Sequence, residues 1–476
     1  MSKPQTIIVW FRQDLRRADN PALHAAYEVE GARILPVFIH DDDNAKSWKR
    51  GAASNVWLHH SLASLNTSLS DHLALFKGKA DEILPDLVKQ TGATAVYWNR
   101  CYEPWRMARD TKIKQSLKEA GITVETFKAN LLWEPWEIKT GGGTPYQVFT
   151  PFYKKGCLAA EQPRAPLPAP ERLIYEDAPK GVLDLDDLQL LPVKPRWDEH
   201  MLDTWDVGEA GAWQRLDDFL DAEIDHYAEG RDRPDKSYVS RLSPHLHFGE
   251  ISPRMIWHEI EKRLAANAIH SQGAAKFQAE LAWREFSYHL LYHFKERITD
   301  QPLNEKFKAF PWEKNEKALA AWQKGLTGYP IVDAGMRQLW QEGYMHNRVR
   351  MIAASFLIKD LLIHWSEGEK WFWDTLFDAD LANNSASWQW VAGCGADAAP
   401  YFRIFNPVLQ GEKFDPNGDY VRKYVPELKD VPDKYVHKPW EAPAKDRPKN
   451  YPAPLVDHKA ARDAALDAYE KIKKAG

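Results

Sequence analysis

The sequence predicts an α/β domain with a doubly wound parallel sheet, followed by a long linker and an all-helical domain. Three observations carry this. Over the first 130 residues, short β-rich apolar runs alternate with helical patterns. From Glu161 to Trp197 seven prolines accumulate with few periodic residues. From about Asp206 apolar residues recur at helical spacing, without strand alternation. A length of 476 residues exceeds what one hydrophobic core organises. The limits read this way are 1–130 for the α/β domain, 131–205 for the linker, and 206–476 for the helical domain with its Pro-rich extension.

The strand candidates are Ile7–Phe11, Ile34–Ile39, Ala95–Trp98 and Thr123–Phe127. Between them Leu58, Leu62, Leu65 and Leu69 share one helical face. Strands alternating with helices imply a parallel sheet covered on both faces. No Gly-rich dinucleotide fingerprint follows the first strand, and no phosphate-loop motif occurs, so this domain alone names no function. Further along, Ala275–Lys295, Ala334–Gly343 and Tyr344–Ile363 read as helices. Pro426 to Pro454, again with seven prolines, reads as extended surface chain, and Asp457–Lys474 as a closing polar helix.

Composition narrows the class. A hydrophobic fraction of 44% is ordinary for a globular chain. No apolar run reaches the roughly 18 residues of a membrane span, and the N-terminal residues read as a first strand instead of a signal peptide. Cys101, Cys157 and Cys394 lie far apart without metal-ligand spacing, so no metal site and a reduced, cytoplasmic compartment are expected. The net charge of −5 argues against uniform coating of nucleic acid but is compatible with a local basic groove. Twenty-one tryptophans are mostly core material, yet indole is also a base-stacking surface and an oxidisable group.

Four constellations carry chemistry. Around Tyr227–Glu250, Arg231, Arg233, Lys236 and Arg241 crowd a loop with Ser240 and Ser243 before a helix, which suits a diphosphate. A capped helix with a solvated basic loop would use the same residues. Glu280, Trp283 and Arg284 share a helical face and could offer a base a stacking surface and hydrogen bonds; a Glu–Arg helix pair beside a half-buried Trp is the plainer reading. His346 to Met351 opens an apolar helix with Asn347 and Met351 on one face and Arg350 alongside; surface arginines at a helix start account for it equally. In FDADLANNSASWQWVAGCG, Asp378, Asp380, Asn383 and Asn384 suggest a cation site, but the spacing is not that of a calcium loop and its glutamate is missing. Trp388 and Trp390, two apart, point to different sides.

Taken together and in this order, these segments resemble the photolyase/cryptochrome family, from Ile7 to about Leu428. The block DADLANNSASWQWVAGCGADAAPYFRIFNPVLQGEKFDPNGDYVRKYVPEL is the most specific part. The resemblance implies an antenna-chromophore domain and a helical domain holding FAD. It implies that Tyr227 and Val239, Ser240, Arg241, Leu242 and Ser243 hold the FAD phosphates and ribityl chain. Phe277, Glu280, Arg284, Tyr344, Asn347, Arg350, Asp378 and Asp380 would complete the flavin site, with Asp378 near Arg350 and Asn384 facing flavin N5. Glu280, Asn347, Met351 and Asn384 would be the catalytic set. Arg231, Glu280, Trp283, Asn347, Arg348, Met351, Trp390 and Arg403 would contact UV-damaged DNA. Trp388, Trp365 and Trp312 match the family's electron-transfer chain.

The implied function is repair of cyclobutane pyrimidine dimers by electron transfer from excited, reduced FAD to the flipped-out dimer. Asn347 stands where (6-4) enzymes carry a second histidine, and plant cryptochromes place Asp at both Asn347 and Asn384. A (6-4) photolyase, a cryptochrome photoreceptor without repair activity, and a dark FAD oxidoreductase are the alternatives. Val239 replaces the usual threonine of the phosphate loop, and Tyr344 and Phe277 stand where tryptophan is common in bacterial relatives. Tyr102-Glu103-Pro104-Trp105-Arg106 lacks the Asn-Glu pair of the best-known folate-binding enzymes, while SPHLHFGEISPR resembles the class III group. For the antenna this points to 5,10-methenyltetrahydrofolate, with deazaflavin or FMN as alternatives. No membrane association or obligate protein partner is expected, and a monomer is.

Overall fold

The structure, a computed structural model, describes residues 5–295 and 297–474. The chain forms two compact units. One holds the residues up to Tyr146, Thr150–Ala222 and Ser240–His293; the other holds Gln147–Phe149, Glu223–Val239 and the residues from Phe294 onward.

The first unit is built on five strands: β1 (Thr6–Phe11), β2 (Arg33–His40), β3 (Ala74–Lys77), β4 (Ala95–Asn99) and β5 (Thr123–Phe127). All pair in parallel, in the order β3-β2-β1-β4-β5. Such a sheet is covered on both faces, which is why β1 is buried at every residue and reads as an unbroken apolar run. In register, Ile8 lies opposite Leu35 and Val96, and with Trp10, Val37 and Trp98 it forms the core. The helices Ala52–Ser68, Ala80–Thr91 and Pro104–Glu119 make the crossovers. β1 has β2 on one side and β4 on the other, so the strand order reverses at the carboxyl ends of β1 and β4.

β3 is a strand the sequence reading did not include, since four residues carry too little periodicity to register. It lies at the sheet edge, where the Leu183 backbone N–H of the Pro-rich linker bonds the Leu75 carbonyl at 2.9 Å. The same linker bridges Tyr175 to Ile34, so it covers backbone that an edge leaves unpaired. This unit also contains the helices Ser243–Phe248 and Ser271–His293.

The second unit is helical. Pro330–Glu342, Asn347–Ser355, Trp365–Thr375 and Leu381–Ala392 pack around one apolar core that includes the fully buried Trp322 and Trp365. The single helix expected over Tyr344–Ile363 differs in detail. It starts at Asn347, because the His346 ring caps it by accepting from Arg348 N, and it ends in a wider π-helical turn, Phe356–Asp360. The Pro426–Pro454 stretch is also not merely surface chain. It forms short 3-10 turns and buries Leu428, Val431 and Val436. The closing helix is His458–Lys474. Among the described residues, no helix is long and apolar enough to cross a membrane.

Candidate active site

In the first unit, the Ser271–His293 helix presents three of the candidate residues. Phe277 is buried against Phe219, ring centroids 4.7 Å apart. Glu280 is half-buried and pairs with Lys276 one turn earlier at 3.3 Å. Trp283, also half-buried, meets Phe286 edge-on at 5.9 Å. Arg284 is turned inward. It donates to the Asn130 carbonyl at 2.7 Å and lies over the Tyr288 ring. Its neighbour Glu285 accepts from the Leu132 and Trp133 backbone, yet burial pushes its carboxyl up to about 7. Before the Ser243–Phe248 helix, Arg215 donates to the Ser240 carbonyl at 2.8 Å. Arg241 adopts a left-handed φ of 51° and lays its guanidinium 4.0 Å over the Trp205 ring, with Thr204 as acceptor. Leu242 is buried at the helix cap, and Ser243 is exposed at its first residue.

At the carboxyl ends of β1 and β4 the same unit concentrates arginine and indole. Arg12 lies 4.3 Å over the Trp10 ring, donates to Asp110 at 2.5 Å and also to the Asn99 carbonyl. Arg109 bonds Asp110 and Asp41, and Arg106 lies over Trp105 and pairs with Glu103 at 3.2 Å. Trp10 Nε1, Arg12 Nε and Glu103 Oε2 are buried there, and His40 Nδ1 at the end of β2, without a hydrogen-bond partner among the described residues. Burial, then the Arg106 charge, draws Arg50 down to about 10.

In the second unit, the Asn347–Ser355 helix carries the densest group. Asn347 is exposed and its amide reaches the Met351 sulfur at 3.9 Å. Arg350 points the other way. It grips both oxygens of Asp378 at 3.1 and 2.8 Å, donates to the Met345 carbonyl at 2.7 Å and covers the buried Tyr344 ring. Arg348 pairs with Asp232 at 2.6 Å and lies over Phe414. Burial, opposed by Asp232 and reinforced by Arg350, Arg348 and Arg231, draws His346 down to about 4. Its ring is therefore the neutral acceptor its cap needs. Tyr227 is buried beneath Arg231, 5.9 Å from its guanidinium, and Val239 is half-buried.

Asp380 caps the Leu381–Ala392 helix, accepting from Asn383 N at 2.8 Å and Asn383 Nδ2 at 2.6 Å. Hence neither acid is arranged as a cation ligand: Asp378 answers a guanidinium, and Asp380 answers a helix end. Asn384 is buried and donates its amide N–H to the Glu369 carbonyl at 3.0 Å, which leaves its oxygen as the acceptor on offer. Glu369 accepts from Ser385 Oγ at 2.5 Å, and burial pushes its carboxyl up to about 8. The sequence reading passed over Glu369. The available signal was its place on one helical face with Trp365 and Phe372, four and three residues away.

Of the three tryptophans assigned to electron transfer, Trp388 is buried and meets Phe372 edge-on at 4.9 Å and Trp322 at 6.3 Å. Trp365 is fully buried and Trp312 half-buried. Trp390 is half-buried, and Arg403 is exposed while its carbonyl accepts from the buried Lys359 at 2.9 Å.

The arrangement is one of buried polar groups set in apolar helices, with half-buried indoles in each unit and, in the second, the exposed Asn347 and Arg403. Residues 7–171 match the family described as DNA photolyase, and residues 277–471 that described as FAD binding domain of DNA photolyase. The chain is 50% identical to the deoxyribodipyrimidine photo-lyase of Agrobacterium fabrum, with 99% of each covered. Cryptochrome-1 of Arabidopsis thaliana is 36% identical, over 98% of this chain and 70% of that one. The crystal structure of a class III photolyase from Agrobacterium tumefaciens aligns with a TM-score of 0.95 at 50% identity, covering 100% of this chain and 99% of the other. With both halves matched and the two Agrobacterium photolyases alike along nearly their whole length, the chain belongs to the DNA photolyase/cryptochrome family.

Proposed function

We propose that this protein splits cyclobutane pyrimidine dimers in UV-damaged DNA under blue light, with reduced FAD as the working cofactor. The observation that carries the reading is the two-sided Asn347–Ser355 helix. Its first turns offer Asn347 and Met351 outward, while Arg350 is tied inward to the buried Asp378. A photoreceptor or a dark oxidase has no use for the outward pair.

The donor set fits FAD. Arg350, Asp378, Asp380 and Asn384 are polar groups embedded in an apolar core, and a flavin ring offers donors and acceptors along one edge and apolar surface on its faces. Tyr344, Phe277, Glu280 and Arg284 would line the ring and adenine. Tyr227 with Val239, Ser240, Arg241, Leu242 and Ser243 would hold the phosphates and ribityl chain. The Asn384 oxygen, freed because its N–H serves Glu369, suits an N–H donor on the flavin. When bound, reduced FAD supplies the light-driven one-electron donation that opens the cyclobutane ring.

The chain's own residues bind and orient. Extrusion from the duplex is the established entry route for enzymes acting on bases, photolyases among them, and it costs least for a lesion that already stacks badly. Trp283 and Trp390 would each offer the dimer a stacking surface. Glu280, released from Lys276, would accept from its base edges, and Asn347 and Met351 would complete the contact. Arg231, Arg348 and Arg403 would hold flanking phosphates. Trp388, Trp365 and Trp312 would resupply electrons to the cofactor.

For the antenna we infer 5,10-methenyltetrahydrofolate at the carboxyl ends of β1 and β4. The buried arginines, indoles and unmatched polar atoms there support a planar anion. Mass spectrometry of the released chromophore separates it from deazaflavin and FMN. The protein is read as a cytoplasmic monomer.

The function is tested by adding the reduced, FAD-loaded protein to an oligonucleotide with one thymine dimer, in blue light and in darkness. Restored thymines in the lit sample alone are expected. Intact dimers beside fully reduced flavin would refute repair and leave the photoreceptor, while (6-4) lesions split in preference would reassign the substrate.

A further inference from the structure

We propose that His364 is a positioning residue of the tryptophan chain: its uncharged ring bridges Trp365 to Trp312, and its protonation opposes passage of the vacancy from Trp388 into that outer pair. The proposal rests on the reading of Trp388, Trp365 and Trp312 as the route that resupplies electrons.

The His364 ring lies 5.2 Å from the Trp365 ring, nearly parallel at 30°, and 5.0 Å from the Trp312 ring at 72°. Among the described residues no ring contact joins the two indoles directly, whereas the His364 ring contacts both. Its orientation is held from the backbone. His364 caps the Trp365–Thr375 helix, with Nδ1 accepting from Ser366 N at 3.1 Å and 2.7 Å from Ser366 Oγ. An accepting Nδ1 is an unprotonated one, so the cap and the uncharged ring are the same state. Burial, opposed by Glu367 and reinforced by Lys370 on its own helix, holds the ring below the ordinary histidine range. The facing segment contributes Trp312 and, next to it, Glu313, whose backbone N–H bonds the Leu362 carbonyl at 2.8 Å.

The step is a one-electron exchange. An electron leaves Trp312 and fills the vacancy on Trp365, so Trp312 is oxidised and Trp365 restored; no proton passes through His364, and a thiol in solution then reduces Trp312. An imidazolium about equally far from both indoles would penalise positive charge on either by similar amounts. Exchange between them would change little. Entry of the vacancy from Trp388, whose ring contacts are Phe372 and Trp322, would be opposed by about 10- to 100-fold, the lower figure allowing for solvent at Trp312.

The test uses the FAD-loaded protein, its flavin oxidised, with thiol and blue light, followed by flavin absorbance from about pH 8 to about pH 5. A readout independent of the flavin is the ring-proton NMR titration of His364, assigned as the signal missing in His364→Asn. The wild type should photoreduce evenly down to the His364 titration and fall about tenfold or more through it. His364→Phe keeps a ring without a charge and should lose the fall. His364→Asn keeps the cap without a ring and should be several-fold slower throughout. A fall that persists in His364→Phe, or that misses the NMR titration, overturns the proposal. Trp312→Phe separates the two ideas. If it photoreduces like the wild type, the chain itself is misread and the proposal goes with it; if it is blocked while both His364 variants match the wild type, the proposal alone fails.

Discussion

Replacing Gly368 with Ala probes how tightly Trp388 is held. A methyl group there runs into Trp388 Cη2, and lies 2.5 Å from its Cζ3 and 2.7 Å from Leu357 Cδ2. Ordinary carbon contacts are about 3.5–4.0 Å, so the indole or the helix must yield by at least about 1 Å. The indole has little room: it is 2% exposed and walled by Phe372 and Trp322. Two effects oppose. Alanine in place of glycine in a helix gains about 1 kcal/mol, while overpacking a core costs about 1–3 kcal/mol, more against a rigid ring. Overpacking should win by about 1–2 kcal/mol, which for a chain of 476 residues lowers the melting temperature by roughly 1–2 °C. Calorimetry of the FAD-loaded protein measures that, and light-driven flavin reduction measures the displaced indole. A raised melting temperature with full photoreduction would show that the ring has space, and would refute the reasoning.

Other outcomes follow from the same geometry. Trp388→Phe should abolish light-driven flavin reduction yet leave repair by chemically reduced protein intact, which separates electron resupply from dimer splitting. Glu369 has its folded pKa raised to about 8, so its stabilising effect is full below the unfolded carboxyl value and is lost as pH rises toward 8. Glu369→Gln should therefore flatten the fall in stability over that window, a slope of at most about 1.4 kcal/mol per pH unit, read from urea melts at several pH values. Tyr451 donates to Asp333 at 2.5 Å, alongside Thr327 N, Thr327 Oγ1 and Gly328 N. Tyr451→Phe should cost about 1–2 kcal/mol and speed proteolysis of the C-terminal segment. Arg403→Ala should weaken damaged and undamaged DNA alike and lower the salt slope by about 0.9, whereas Trp283→Ala should cost about 1–3 kcal/mol on the lesion alone.

What could be read in advance follows from how far apart the interacting residues lie. The runs at Ile7 and Ile34 were legible because a sheet buried on both faces needs unbroken apolar sequence. β3 was not, because its four residues take their structure from β2 and the linker. The closing helix, His458–Lys474, was legible, but not the π turn at Phe356–Asp360, where Lys359 and Asp360 are buried. In the site, Asn347 and Met351 are four residues apart, so helical geometry alone joins them. Arg350 and Asp378 are 28 apart, and no spacing rule links them; the resemblance did. Glu369 went unread, because its partners Ser385 and Asn384 come from the next helix.

The central claim is that the excited, reduced flavin gives an electron to the bound dimer. The direct measurement is the fluorescence lifetime of the reduced cofactor in this protein, with an oligonucleotide holding one thymine dimer and with the undamaged strand. A lifetime shortened by the dimer and unchanged by the undamaged strand is the predicted result. An identical lifetime in both, at concentrations where the dimer strand is bound, would contradict it.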